Sequence, residues 1–393
     1  MRFKYIDTFS YKTAHLQINA SLLVMLSEIG KEVIYYAGKD SMAEVYSLFA
    51  KNNVEVLNVQ ANSVFVYRGN NRLSLLMRYL ISAFMNLVLL VRSHKNDVII
   101  YNYNNLFSLR LINAVNGIIK RKVLICCHGE LELLSDVVEE GGGLAKCLRY
   151  LARDFFLKRR KIQDRVYFMV LGDVILKNLH SYLTEEQLKK FISVDHPYIF
   201  TKYIDKTEKE QHNNSLYVGT VGVFSQAKGG DLFIKIVSNV RNADVRFSIT
   251  GRVYYSMELL NNWGIDVAPD AHRKPLPMEL YNERIKRLDY ILFLYNQNSY
   301  RITASGAVMD AINLRKPIIA LENDYFCYLF KKYGSFGRLF KSLEEMTTFL
   351  SKELVVQRTE VNLCNFEKIQ KSMSPEHIAG DLYNKLKRIE FVE

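Results

Sequence analysis

SYRITASGAVMDAINLRKPIIAL, residues 299–321, decides the fold of the C-terminal half of this chain. An apolar run at 290–295 precedes it, a small-residue turn Thr303-Ala304-Ser305-Gly306 opens a helical pattern, and Pro317 starts a second apolar run. The order is strand, tight turn, helix, strand, the repeating unit of a parallel sheet. Thr303 or Ser305 is placed to cap the helix. Gly306 lets a ligand approach the unpaired N–H groups of the first turn, an arrangement that suits a phosphate. Asp310 follows about one turn later, where a carboxylate can accept hydrogen bonds from the vicinal hydroxyls of a ribose. The same residues also suit a turn with no ligand, since Ser-Gly relieves backbone geometry and Asp near a helix start is favoured by the dipole.

Working outward, strand and helix patterns alternate along the whole chain. Short apolar runs at 3–6, 33–37, 54–59, 98–101, 123–127 and 166–170 read as buried strands of one parallel sheet, and runs at 216–221, 245–250, 290–295 and 317–321 as those of another. Ligands of such sheets bind at the carboxyl edge, so the residues after each strand are the candidates. After the first strand a polar loop, 7–15, leads to His15, where a helix is expected to start and to run to Gly30. After the fifth comes His128-Gly129-Glu130, a base and an acid flanking a glycine that leaves room for substrate. In the second half, Gly222 opens a loop carrying Lys228 beside Gly229 and Gly230, a clamp for a diphosphate, and Gly251-Arg252 ends the next strand. The periodicity breaks near Asp195-His196-Pro197-Tyr198, and a polar stretch follows at 202–214. The expected domains are 1–200 and 201–376, with 377–393 rejoining the first. Ser374-Pro375-Glu376 caps that last helix.

The length of 393 residues and an apolar fraction of 49% provide for two buried cores. Five cysteines, an odd number without metal-ligand spacing, point to free thiols in a reducing compartment and away from zinc. The N-terminus lacks a signal-peptide core, so residence in the cytoplasm is expected. A net charge of +12 favours polyanionic partners: an anionic membrane surface, phosphorylated small molecules or nucleic acid. An amphipathic basic pattern from Leu144 to Lys161 suits a helix lying on the inner face of the membrane, though a core helix with a solvated basic end is the preferred reading of the pattern by itself. The apolar stretch 73–91 approaches span length, but Arg78 and Asn86 interrupt it, so a buried or surface-dipping helix is expected. No aromatic RNA-stacking motif or zinc module is seen, which argues against nucleic acid.

VGTVGVFSQAKGGDLF (218–233), SGAVMDAINLRKPII (305–319) and HGE (128–130) resemble motifs of the bacterial group 1, family-four-like glycosyltransferases, an α/β class of GT-B architecture in which two Rossmann-like domains face a cleft. The resemblance spans nearly the whole chain. It implies metal-independent transfer of a sugar from a nucleotide diphosphate sugar to a carbohydrate; a lipid-linked glycan intermediate of cell-surface polysaccharide synthesis is the expected acceptor, its membrane part resting on the basic amphipathic pattern at 144–161. It further implies that Lys228 and the amides at Ser305 and Gly306 hold the donor phosphates, that Asp310 takes the ribose, and that His128 faces the transferred sugar. If the reaction inverts the anomeric centre, Glu130 or His128 is the candidate base; if it retains, the leaving phosphate assists. Three positions depart from the motif: Ile302 replaces the first of two acidic residues, Val223 an arginine, and Arg315 the helix-ending glycine. Arg252 and Arg301 are the candidate replacements for the arginine. A nucleotide-sugar epimerase or hydrolase of the same architecture, and a noncatalytic basic binding protein, are the alternatives.

Overall fold

Uninterrupted β-branched and aromatic runs become the inner strands. The computed structural model describes residues 1–69, 71–136, 142–201, 215–295, 300–353 and 366–393; the polar stretch 202–214, Ser299 and Cys364 lie outside the described residues. Contacts divide the chain into two units, one of Met1–Phe200, Ile302–Ala304 and Ser372–Glu393, the other of Thr201–Arg301 and Ser305–Lys371. Residues 302–304 and 372–376 therefore group with the first unit, not with the second, to which sequence position alone assigns them.

The first unit holds β1 (Arg2–Asp7), β2 (Glu32–Gly38), β3 (Val59–Val64), β4 (Val98–Tyr101), β5 (Lys122–Cys126), β6 (Val166–Val170) and β7 (Phe191–Ser193). They form one sheet in the order β3-β2-β1-β4-β5-β6-β7, and every pairing is parallel. The strand expected at 54–59 is displaced to Val59–Val64, because this edge strand is only half-buried and has the polar sequence VQANSV; the apolar Val54 and Val56 pack against the core from the preceding loop. The core gathers Phe3, Tyr5, Val33, Val98 and Leu124 beneath the Leu16–Ile29 helix. The last helix, Pro375–Arg388, packs on that same helix within this unit, started by Pro375 and by Ser374, whose side chain accepts from the His377 amide.

The second unit contributes β8 (Leu216–Val221), β9 (Val245–Thr250), β10 (Asp266–Val267), β11 (Tyr290–Phe293), β12 (Ile318–Leu321) and β13 (Gly337–Phe340). Their order is β10-β9-β8-β11-β12-β13, again all parallel. The short edge strands β7, β10 and β13 carry too few apolar residues for periodicity to reveal them.

The basic helix read as a membrane-surface or a core helix is Gly143–Phe156, and its apolar end is committed inward, in keeping with the core reading: Ala152, Phe155 and Phe156 are buried. Asp154, buried beside them, gathers Arg110, Lys158 and Arg160, so much of the basic cluster is engaged within the fold.

Candidate functional site

Two groups of the expected residues assemble, one at the carboxyl edge of each sheet. In the first unit β1, β4 and β5 deliver His15, Asn102 and His128–Glu130 to one place. Asp7, buried at the end of β1, accepts from the Ser10 amide at 2.9 Å and from Asn19 Nδ2 at 2.7 Å, which fixes the loop leading to His15. His15 ends that loop in the left-handed conformation at φ 57°, just before the Leu16–Ile29 helix. Asn102 Nδ2 donates to Asn19 Oδ1 at 2.6 Å, and its Oδ1 accepts the Tyr5 hydroxyl at 2.7 Å. The Asn102 carbonyl meets His128 Nε2. A carbonyl only accepts, so Nε2 carries the proton and Nδ1 keeps its lone pair. Burial, reinforced by the nearby His15 imidazole, lowers the His128 pKa to about 3, so the ring is neutral. The two imidazoles lie 5.1 Å apart.

Glu130 is 6% exposed and its Oε2 accepts the His128 amide at 3.0 Å. Burial pushes its carboxyl up to about pKa 7, which places proton exchange at neutral pH. A cavity of about 280 Å³ opens here, walled by His15, Tyr79, Tyr103, His128, Glu130 and Leu133. The aromatic wall is continuous: Phe9 stacks on Tyr103 at 4.5 Å, and the Tyr79 and Tyr103 hydroxyls share a hydrogen bond of 2.9 Å. Sequence reading missed Asn19, Asn102, Tyr79 and Tyr103, because scattered Asn and Tyr carry no motif and only the sheet brings them together. A larger hollow of about 370 Å³ lies beside the ends of β2 and β3, with Ser10, Lys39, Ser63 and Arg68 in its lining.

In the second unit Gly222 follows β8 at φ 87° and Gly251 follows β9 at φ 142°. A side chain at Gly251 would fall 1.7 Å from the Gly222 carbonyl oxygen, so this crossing of two backbones admits only glycine. The space above Gly222 leads to Ala307, in the first turn of the Gly306–Asn313 helix. Lys228 ends the short turn before the Gly230–Asn239 helix, and its ammonium lies 5.9 Å from the Tyr295 ring and 5.5 Å from that of Tyr300.

Ser305 stands at the helix start, but its side chain makes no capping bond; Oγ is paired with the Tyr295 hydroxyl at 3.2 Å. The expectation of a serine cap is thus corrected: the tyrosine diverts the hydroxyl. Thr303 falls outside the helix start, and its hydroxyl meets the His128 carbonyl. Gly306 is exposed, with nothing within 4 Å of where a side chain would begin. Asp310 lies one turn on, its Oδ2 accepting the Tyr281 hydroxyl at 3.0 Å. Of the two arginines considered as replacements, Arg301 pairs with Asp324 at 3.4 Å, while Arg252 lies 5.0 Å over the Tyr254 ring with its buried Nε unpaired. Arg315, where the resembled motif has glycine, takes the glycine-like φ of 51°.

No family model matches the chain, and no curated protein matches it by sequence. Solved structures do. WaaG, a glycosyltransferase involved in lipopolysaccharide biosynthesis, superposes with a TM-score of 0.54 at 12% identity, over 98% of this chain and 99% of that one. Sucrose-phosphate synthase from Thermosynechococcus elongatus gives 0.65 at 12% identity, over 99% of each chain. TarM gives 0.60 at 11% identity, over 100% of this chain and 98% of that one. At such identities the likeness establishes the fold, and the fold is GT-B.

Proposed function

We propose that this GT-B protein is a glycosyltransferase that moves a sugar from a nucleotide diphosphate sugar to a carbohydrate acceptor, a lipid-linked glycan intermediate of cell-surface polysaccharide synthesis at the cytoplasmic face of the membrane. The observation that carries the donor part is the meeting of Lys228, Tyr295, Ser305 and the open backbone at Gly306 beside the glycines that end β8 and β9. An ammonium and the unpaired amides of a helix start are what a pyrophosphate needs, and they offset its charge without a divalent ion. Asp310 faces the ribose in this reading. The involvement of WaaG in lipopolysaccharide biosynthesis supports the acceptor class.

In the transfer, the acceptor hydroxyl oxygen bonds to the anomeric carbon, and the bond from that carbon to the diphosphate oxygen breaks, its electron pair leaving with the diphosphate. The hydroxyl proton passes to Glu130, which at neutral pH is partly ionised and able to receive it. His128, neutral, offers Nδ1 as an acceptor for a sugar hydroxyl. In a retaining reaction the leaving phosphate takes the proton instead, and Glu130→Gln then keeps its turnover.

Calorimetric titration with a panel of nucleotide sugars, with and without chelator, tests the proposal. One nucleotide sugar should bind equally in both conditions, and Lys228→Ala should weaken it by about tenfold or more, the loss of a charge-assisted contact. Failure of every nucleotide sugar to bind overturns the reading.

A further inference from the structure

The Arg72–Val91 helix of the first unit buries a polar row, Ser74, Arg78, Ser82 and Asn86, repeating every four residues beside the apolar Tyr79, Ala83, Leu89 and Leu90. Thr8 Oγ1 pairs with Ser82 Oγ and with Asn86 Oδ1, each at 2.7 Å, and Arg78 Nε donates to the Tyr67 carbonyl at 3.0 Å. The outward face is apolar: Leu73, Leu80, Phe84 and Val91 are 67%, 45%, 65% and 57% exposed. A helix that faces water is polar on that side. The Leu106–Ile119 helix packs beside it and exposes two more apolar side chains, Leu111 and Ile118, 53% and 83% exposed. Spacings of four and seven residues keep each set on a single stripe.

The charges on these two helices and at their ends have one sign. Parallel strands oblige both helices to run the same way, so their C-terminal ends lie together, and there stand Arg92, Lys95 and Lys120, all exposed, with Arg72 at the opposite end. Between Glu55 and Glu130 the sequence has a single acid, Asp97, which is buried and paired with Arg2 and Lys4. A second copy of the chain would bring cations against cations. An anionic lipid surface brings apolar depth for the side chains and head groups for the cations.

We infer that the outward face of the Arg72–Val91 and Leu106–Ile119 helices docks this protein on an anionic phospholipid bilayer, with Leu80, Phe84 and Ile118 entering the acyl boundary and Arg92, Lys95 and Lys120 meeting phosphates. It specifies the membrane part of the proposed function but rests on this surface alone. It also assigns docking to these two helices and not to the basic Gly143–Phe156 helix, whose apolar end is in the core.

Co-sedimentation of the full chain with vesicles of phosphatidylcholine, alone or mixed with phosphatidylglycerol, tests it. Binding should require the anionic lipid, weaken with added salt, and fall by about a hundredfold in a Leu80→Glu/Phe84→Glu variant, each anchor being worth roughly tenfold. Lys146→Glu/Lys161→Glu, on and just beyond the Gly143–Phe156 helix, should change it little. A Phe84→Trp probe in a Trp263→Phe background should shift its emission to the blue on vesicles; this substitution keeps an aromatic side chain and serves if the acidic variant fails to fold. Absence of vesicle binding, binding unchanged in the acidic variant, or a dimer broken by that variant without vesicle binding would each overturn the inference. Nucleotide-sugar titration of the acidic variant should match the wild type, which separates failure of docking from failure of the donor reading.

Discussion

The Tyr281 hydroxyl donates a hydrogen bond to Asp310 Oδ2 at 3.0 Å, joining the Met278–Lys286 helix to the helix that starts at Ser305. Burial and the Asp310 charge raise the Tyr281 pKa well above its ordinary value, so the phenol stays protonated and keeps donating. Tyr281 therefore orients the carboxylate that the ribose reading needs. Asp310→Asn should weaken nucleotide-sugar binding by about tenfold, and Tyr281→Phe by a smaller factor with turnover at saturation nearly unchanged. Titration calorimetry and steady-state kinetics check this pair.

Glu130 should divide activity from stability. As a base it works ionised, so turnover should rise as pH climbs through about 7 and level off above. The stability effect has the opposite sign. The folded carboxyl holds its proton up to about 7 while the unfolded one releases it near the ordinary value, so between the two the folded state binds more protons and stability falls as pH rises. In an inverting reaction Glu130→Gln should thus lose turnover, and with either stereochemistry it should melt at a higher temperature than wild type above neutrality. The gain is on the order of 3 kcal/mol at most. Thermal melts at acid and alkaline pH would show the two curves meeting at low pH.

His128 should show no titration in the ordinary histidine range. With its pKa lowered to about 3 and Nε2 held by the Asn102 carbonyl, its ring resonances should stay constant between about pH 5 and 9 and report the Nε2-protonated tautomer. Nitrogen-detected NMR of the imidazoles reads this directly.

Two glycines should respond oppositely. Gly251→Ala puts a methyl group on the Gly222 carbonyl at a left-handed φ and should cost several kcal/mol or prevent folding of the second unit. Gly306→Ala meets open space and should fold with unchanged or slightly higher stability. It should still weaken nucleotide-sugar binding, because the added methyl group occupies the approach to the helix amides. Melting curves alongside donor titrations distinguish the two.

Arg315 sits at φ 51° where glycine is relaxed, and pairs with Glu367 at 3.0 Å on the surface. An exposed ion pair contributes little, so Arg315→Gly should stabilise the protein by roughly 0.5–1 kcal/mol, read from denaturant midpoints.

Chain order and hydrophobic rhythm determined a great deal by themselves. Continuous runs such as VIIY at 98–101 and VYFMV at 166–170 can be buried only on both faces of a parallel sheet, so the inner strands and the two-sheet plan were legible, as were Gly222, Lys228, Gly251 and Gly306 at strand ends. Edge strands were not, because a half-buried strand such as VQANSV needs no apolar run. Tertiary structure alone decided which side chains meet. It linked Asp7, Asn19, Asn102 and His128 across four elements, turned the Ser305 hydroxyl to Tyr295, and gave Asp310 the phenol of Tyr281. It also chose between the two readings of the basic helix: the sequence pattern of 143–156 is more amphipathic, but packing buries its aromatics, as the core-helix reading requires, and leaves Leu80, Phe84 and Ile118 outside. Periodicity shows that a helix has two faces; only the packed neighbours fix which of them is inward.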